Sequence, residues 1–435
     1  MKRELQYYDI RPKVVPADRE SVIEIRPRFD GGRFADGREV EFTHILTEDT
    51  RRRANAPVAG TVKAKAQDGV LRARCFFEGE QEHVLTGLAA GNSVPHTFPA
   101  ELRLYSVRDD LLARRPLKGD LHLHSDRSDG METPAYVAAA CRRIGLDFMA
   151  LTDHHRYGPS LEAREAFAGV AHDLRIFPGE EVHPPDNGIH IVNFGGRSSV
   201  NELFGTERFR REAEAIRCTQ APVRPGVDPV WAAVARWTFD RIRDAGGLGI
   251  FCHPYWSFHA HYSLAEAFIE HLFDTQPFDA YELLGGFNHT EPEANLLQVA
   301  RYHDERAAGR TVPIVGASDS HGCERGDLFG WYYTIAFAAS DELPDVIAAI
   351  RDGYSVAVEA WPAERARPHG PFRLVKYALF LLREVFPLHD ELCAGEGSWM
   401  HRHIAGDDGA ADELARLSGR CAGLYKAQFA AAPAR

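Results

Sequence analysis

Two short segments hold the side chains with the most chemistry in this chain. Asp120-Leu121-His122-Leu123-His124-Ser125 and Ser318-Asp319-Ser320-His321-Gly322 each place two metal-binding groups at i and i+2. On a strand, a period of two aims both members of a pair at one face. Two such strands side by side would bring three imidazoles and a carboxylate to one point. That is a divalent-metal site with mixed nitrogen and oxygen ligands, suited to Zn²⁺, Mn²⁺ or Fe²⁺. A bound metal of this kind lowers the pKa of water to about 7 and polarises the oxygen of the bond under attack. A hydrolytic metalloenzyme is the expectation.

Further candidates lie between the two pairs: Asp129 in Arg127-Ser128-Asp129-Gly130, and Asp153 with His154 in Leu151-Thr152-Asp153-His154-His155. Glu181 follows in Gly179-Glu180-Glu181-Val182-His183, then His190, then His253 in Cys252-His253-Pro254. Taken singly each has a plain structural reading. T-D-H is also an Asx-type turn, S-D-G a good turn, and a strand histidine is commonly a hydrogen-bonded core residue. Taken together, so many groups of this type at strand ends are seldom buried without a common partner.

In order and type the set resembles the PHP (polymerase and histidinol phosphatase) superfamily of metal-dependent hydrolases, from Leu117 to about Glu359. The motifs that carry the resemblance are H-x-H, S-D-G, T-D-H, G-x-E, two lone histidines and S-D-x-H. It implies a distorted (β/α)7 barrel holding two or three divalent metal ions. The implied ligands are His122, His124, Asp129, His154, Glu181, His190, His253, Asp319 and His321, with Glu181 bridging two metals. A β-rich module in front and a helical tail behind are similar to the arrangement in the carbaryl hydrolase-like (CehA/McbA) group. Hydroxide held by the metals would then be the nucleophile.

Asp153, His155 and His183 are candidate acid–base groups beside these ligands. His155 either shuttles a proton to the leaving group or hydrogen-bonds in the wall. Alternation along a strand favours the wall, since neighbours face opposite ways. His183 is at i+2 from Glu181, on the same face. Arg127, Arg156 and Arg325 each lie within a few residues of a candidate ligand. Converging guanidiniums bind phosphate or carboxylate in bidentate fashion, which favours phosphoester hydrolysis of a small organic phosphate. Salt bridges at the rim are the competing account of these arginines. The loop Tyr255, Trp256, Phe258, His259, His261, Tyr262, with Phe287-Asn288-His289, would make an aromatic wall suited to an aryl ester or carbamate. A carboxylic-ester or carbamate hydrolase is therefore the second reading, and a catalytically inactive structural PHP module the third.

Strands must deliver these residues. Asp120–His124, Phe148–Thr152, Leu174–Pro178, Ile189–Phe194, Leu248–His253, Tyr281–Leu284 and Pro313–Ala317 read as short apolar strands. They alternate with helical stretches such as Pro134–Ile144 and Leu343–Arg351, the pattern of a parallel α/β array or barrel. Tyr354–Glu359 reads as a closing strand. Residues 1–115 alternate apolar with polar between Gly-containing turns, as in a small β-sandwich. The expected organisation is thus a β-rich domain (1–115), an α/β barrel (116–362) and a helical extension (363–435).

At 435 residues the chain is long enough for two or three domains. Its 44% hydrophobic and 26% charged content is that of a globular protein. A formal net charge of −12, with no long basic run, argues against a nucleic-acid partner and for a small-molecule substrate. Seven dispersed cysteines without a C-x-x-C pair fit reduced thiols, and no apolar stretch suits a signal peptide or membrane span. A cytoplasmic location is the expectation. Cys252 and Cys323 flank candidate ligands and read as small apolar fillers. Oligomeric state has no signature in the sequence.

Overall fold

Alternating residues near the N-terminus build a sheet of eight strands, Tyr8–Arg11, Val14–Pro16, Arg19–Pro27, Glu39–Leu46, Ala59–Gln67, Val70–Phe77, Glu82–Thr86 and Leu102–Val107. The computed structural model describes residues 7–48, 59–86, 101–258, 261–286, 293–324 and 328–430. It divides into one unit of Met1–Arg115, Val375–Glu391 and Gly419–Arg435, and another of Pro116–Leu374 and Leu392–Ser418.

In the first unit the two outermost strands of the sheet, Tyr8–Arg11 and Val14–Pro16, are separated in sequence only by Pro12 and Lys13. So short a link holds the two edges close and curls the sheet. The strands expected as a sandwich are therefore hydrogen-bonded into one curled sheet around Ile23, Ile25, Phe42, Leu71, Phe77 and Leu104. Two C-terminal pieces complete this unit. Tyr377 and Phe380 pack on the Tyr105 ring at 5.1 and 5.4 Å, and Lys13 Nζ meets Glu384 Oε2 at 3.1 Å with both side chains buried.

A chain of polar side chains runs through the curled sheet. Cys75 Sγ lies 3.3 Å from His44 Nδ1, His44 Nε2 3.0 Å from His83 Nδ1, and His83 Nε2 2.8 Å from Ser106 Oγ. Ser106 Oγ donates to the Gly79 carbonyl. That fixes the direction of every other bond: His83 Nε2–H donates to Ser106, His44 Nε2–H to His83, and the thiol to His44. Both imidazoles are then neutral and fully used.

In the second unit, one sheet has the order Arg175–Phe177, Phe148–Ala150, Arg115–Asp120, Tyr332–Ala338, Ser355–Glu359, Arg367–His369. The other runs Gly179–Val182, Ile191–Phe194, Leu248–Phe251, Ala280–Leu284, Ile314–Gly316. The unit is mixed α/β, with helices such as Pro134–Arg143, Pro229–Asp244 and Leu343–Arg351 against the strands. Thr133 caps the first of these by accepting from Tyr136 N. The all-parallel expectation fails at Ile191–Phe194, which is antiparallel to both its neighbours, and again at Ser355–Glu359, antiparallel to Tyr332–Ala338 and Arg367–His369. Only residues 183–190 separate Ile191–Phe194 from Gly179–Val182, too few for a crossover helix. Tyr332–Ala338, a fully buried strand, was not foreseen, and it pairs antiparallel with the expected closing strand, observed as Ser355–Glu359.

Two seams join these sheets, and residues of the ligand motifs make both. Leu123 bridges Ser320, with His124 N donating to Ser320 O and Asp319 N to His122 O. His154 bridges Glu181, with Glu181 N donating to Thr152 O. The C-terminal helices end the chain (Phe372–Glu384, Phe386–Ile404, Ala410–Leu417 and Arg420–Gln428). In this unit buried Arg142 binds Glu396 and Asp147. Among the described residues no helix is long and apolar enough to cross a membrane.

The buried imidazoles predict a pH response in the first unit. Burial, reinforced by neighbouring His44, pushes His83 down to about 3. The unfolded chain takes up this proton near the ordinary value of about 6.5, and the folded chain does not. Stability present above that value is therefore lost as pH falls toward 3. In a histidine-ring NMR titration, His83 should stay neutral from pH 8 to pH 5. A His83 ring that titrates near 6.5 would contradict the bonding chain.

Candidate metal centre

Glu181 stands at the centre, with no exposed area. Its Oε2 lies 3.4 Å from His122 Nε2, 3.5 Å from His124 Nε2 and 2.7 Å from His154 Nδ1. Its Oε1 lies 2.7 Å from His190 Nδ1, 3.5 Å from His183 Nε2 and 3.6 Å from His253 Nε2. Asp319 joins from the far seam: its Oδ1 is 2.8 Å from His124 Nε2 and 3.2 Å from His122 Nε2, and its Oδ2 is 3.8 Å from His253 Nε2. On the open side Asp129 approaches His154 Nε2 at 3.4 Å and His321 Nε2 at 3.3 Å. Every residue that the sequence marks as a candidate ligand therefore converges on one place.

The donor atoms face a shared space more than one another. His122 Nε2, both nitrogens of His124, both oxygens of Glu181, His190 Nδ1, His253 Nε2 and Asp319 Oδ1 are buried without a hydrogen-bond partner among the described residues. Buried polar atoms are almost always paired, so a cluster of orphans facing inward is a donor set that cations would satisfy. The sets His122/His124/Glu181/Asp319 and His124/Asp129/His154/His321 each have ligand atoms within 4.8 Å of one another. The donor set fits divalent metal ions.

Electrostatics agree. Burial resists charge on Glu181, yet the His190 and His122 imidazoles hold its carboxyl well below the usual range. Asp319 is lowered in the same way, its burial outweighed by His122 and His124. Burial pushes His190 down to about 4, which leaves it neutral and able to ligate.

The backbone around the ligands is bent to suit. His155, His253 and Asp319 all have positive φ, at 57°, 23° and 52°. For residues with a side chain this is a sparsely populated, strained region, and it breaks the strand alternation. It also corrects the reading of His155 as a residue facing away. Its exposed ring turns back onto His183, with centroids 4.6 Å apart. His183 Nε2 in turn lies 2.9 Å from His154 Nδ1.

Asp153 does different work from the acid–base role expected of it. Its Oδ1 accepts from the backbone and hydroxyl of both Ser125 and Ser128, at 2.8–3.1 Å. That one oxygen folds the loop carrying Asp129 over His124. Gly130 is required there, because a Cβ would lie 2.7 Å from the His124 carbonyl group. Glu180 is buried and accepts from Asn193, Ser199, Val200 and Asn201. Asn201 then donates to Glu181 O and accepts from His183 N. His321 Nδ1 donates to Asp319 O at 2.8 Å, so Nε2 is the free nitrogen.

The three arginines part company. Arg127 is engaged by Glu162 and Asp126, as the rim salt-bridge account has it. Arg156 is exposed, lines a cavity of about 550 Å³ with His155, Tyr157 and Glu202, and has no side-chain partner among the described residues. Arg325 lies outside the described residues, as do His259 and Phe287-Asn288-His289. Of the aromatic loop, Tyr255 is buried and accepts from Arg301 Nε, a packing role, and Tyr262 and His261 are exposed. Half-buried Trp256 packs near the rings of His190 and His253, at 5.8 and 6.2 Å. Cys252 is buried and Cys323 half-buried, both as free thiols.

Sequence reasoning overlooked one acid. Glu282 lies in the Ala280–Leu284 strand with Oε2 2.9 Å from His122 Nδ1. A lone acid in an otherwise apolar strand was the available signal.

No family model matches the chain. It is 42% identical over 57 residues to the DNA polymerase/3'-5' exonuclease PolX of Bacillus subtilis, covering 13% of this chain and 10% of that protein. It is 24% identical over 122 residues to the 5'-3' exoribonuclease Rnm of Salmonella typhimurium, covering 27% of this chain and 42% of that one. The chain thus spans less than half the length of the curated relatives it matches. Among solved structures, a two-domain Bacteroides vulgatus protein containing a predicted PHP-like metal-dependent phosphoesterase aligns at 20% identity and TM-score 0.40, over 56% of this chain and 65% of that one. An amidohydrolase of Chromobacterium violaceum with bound sulfate aligns at 21% identity and TM-score 0.30, over 47% and 87%. The chain resembles PHP-type metal-dependent hydrolases, and that resemblance rests on its motifs.

Asp153→Ala should unfasten the Ser125–Ser128 loop and lower stability by roughly 3 kcal/mol, because buried donors lose their acceptor. Asp153→Asn, which keeps one acceptor oxygen, should lose less. Denaturant unfolding of the two variants checks this. A wild-type midpoint for Asp153→Ala would show that the loop does not depend on the carboxylate.

Proposed function

We propose that the chain is a multinuclear metal-dependent hydrolase of PHP type, a phosphoesterase acting on a small organic phosphate. The observation that carries the proposal is the cluster of buried, unpaired nitrogen and oxygen atoms around Glu181. We assign His122, His124, Glu181 and Asp319 to one ion, His190, His253 and Glu181 to a second, and Asp129, His154 and His321 to a third. Zn, Mn and Fe all suit this donor set. Bound there, such ions would supply hydroxide at neutral pH and offset the charge that develops on the phosphoryl oxygens.

The chain's own residues do the rest in this reading. Glu181 carries charge shared between two ions. Arg156, free of an acidic partner, pairs with a substrate phosphate oxygen. His155, exposed against His183, passes a proton between the leaving group and water. Around them we read the second unit as a distorted (β/α)7 barrel. PolX and Rnm are nucleases by name. A net charge of −12 without a long basic run gives little purchase on a phosphate backbone, which is why a small substrate is preferred. The cytoplasm, where free thiols persist, is the compartment that fits the seven cysteines.

Trp256 beside His190 and His253 supports a second reading, a carboxylic-ester or carbamate hydrolase of the CehA/McbA type with an aryl group against the indole.

Metal-loaded protein assayed on p-nitrophenyl phosphate, bis-p-nitrophenyl phosphate, a single-stranded oligonucleotide and 1-naphthyl acetate separates the readings. Turnover of the small phosphates, abolished by chelator and restored by Mn²⁺ or Zn²⁺, is the expected result. Turnover of the neutral ester alone would sink the phosphatase assignment, and equal turnover of the oligonucleotide would replace the small substrate with a nucleic acid. Asp319→Asn combined with His321→Ala should reduce kcat by at least about 10³-fold with the fold intact. Undiminished activity in that double variant would remove the site from consideration.

A further inference from the structure

Glu282 belongs to none of the ligand motifs, yet it touches the centre of the site. It lies on the Ala280–Leu284 strand, flanked by Leu248–Phe251 and Ile314–Gly316, and is fully buried. Its Oε2 is 2.9 Å from His122 Nδ1. On the other side of the same ring, Nε2 faces Asp319 Oδ1 at 3.2 Å and Glu181 Oε2 at 3.4 Å. A carboxylate only accepts, so the hydrogen sits on Nδ1 and Nε2 keeps its lone pair toward the Glu181–Asp319 space.

We propose that Glu282 is a positioning residue for the metal centre, which selects the tautomer and ring orientation of His122 and strengthens its Nε2 as a ligand. The inference rests on the metal-hydrolase reading and adds to it a residue that none of the ligand motifs contains. A carboxylate–imidazole–cation line of this kind raises ligand basicity and holds the ring in one orientation.

The surroundings of Glu282 are built for such a role. Gln298 Nε2 donates to the carbonyls of Glu282 and Leu283, and Gly285 N donates to Asn295 Oδ1 at 2.9 Å, which fixes the strand end. Gly285 has φ of 154°, and a Cβ there would lie 2.2 Å from Ala317 O and 3.0 Å from Glu282 Oε1. The chain therefore packs directly on the carboxylate and keeps it aimed at His122. Oε1 has no hydrogen-bond partner. A buried carboxylate with one bond is unfavourable by itself, so its retention is better explained by a charge beyond His122 than by local stability. Cys252, also close to His122 and interacting with its ring, lies with its thiol 3.4 Å from Ile250 O.

A structural role and a positioning role make opposite statements about the metal-free protein. Glu282→Gln removes a buried charge and keeps an acceptor of the same size. Chelator-stripped full-length wild type and variant would be titrated with Mn²⁺ and with Zn²⁺ by calorimetry, and the metal-free forms unfolded in urea. Positioning predicts metal binding at one class of site weakened about 10–100-fold, with a metal-free midpoint equal to or above wild type. Glu282→Asp keeps the charge, withdraws it by one methylene, and should also weaken binding.

Wild-type affinity in Glu282→Gln and Glu282→Asp would overturn the proposal and leave the metal-hydrolase reading standing. So would a fall in metal-free stability that accounts for the whole loss of affinity. Wild-type protein that binds neither metal would overturn both.

Discussion

A fully buried carboxylate surrounded by imidazoles is the constraint on which this half of the molecule depends. Glu181 has no water to solvate it, and no hydrogen-bond donor aims at either oxygen. Placing an unpaired charge in such a position is expensive unless opposite charge is close on several sides. The histidines around it therefore come from separate strands and loops, not from one segment. To bring them together the chain closes both seams between its two sheets with the ligand-bearing segments themselves, Leu123 to Ser320 and His154 to Glu181. Closing the fold and assembling the site are one event, and strain at Asp319 is held in place by one of those same backbone bonds.

The other buried acids divide the work of holding this arrangement. Asp120 accepts from both His122 N and Ser318 N, and so ties the first ligand pair to the last. Asp153 binds the Ser125–Ser128 turn, and Glu180 binds the Ser199–Asn201 turn. Each of these acids gives at least one oxygen to several backbone or side-chain donors, which helps to keep a carboxylate inside a protein without a cation. Glu181 and Asp319 differ in that their unpaired oxygens all face the same histidines. The distinction between a structural acid and a ligand acid is thus visible in where each oxygen finds, or fails to find, a hydrogen.

The candidate ligands were legible as a cluster because their spacing carried geometry. H-x-H and D-x-H on extended chain fix two side chains relative to one face, and strand ends in α/β folds converge. The curled N-terminal sheet was legible as strands but not as one sheet, since alternation reports a half-buried strand and says nothing of its partners. Ile191–Phe194 was misread in direction for the same reason. The side that His155 faces was not legible, because a left-handed φ there reverses what alternation assigns to it. Glu282 was missed because its partner is distant in sequence, joined only by strand order.

Burial grades the site from a closed floor to an open mouth. Side-chain exposure rises from 0% at Glu181 through 14% at Asp319 and 18% at His190 to 38% at His321 and 54% at Asp129. Asp129 and His321 form the open side of the cluster, and Arg156 and His155 are exposed as well. The floor groups sit on strands and at the two seams, so their geometry tolerates little change. The mouth groups lean on a single turn and on one another. A fold of this kind keeps its chemistry constant at the floor and leaves its choice of substrate to the rim, where side chains are exposed and sequence pattern has least to report.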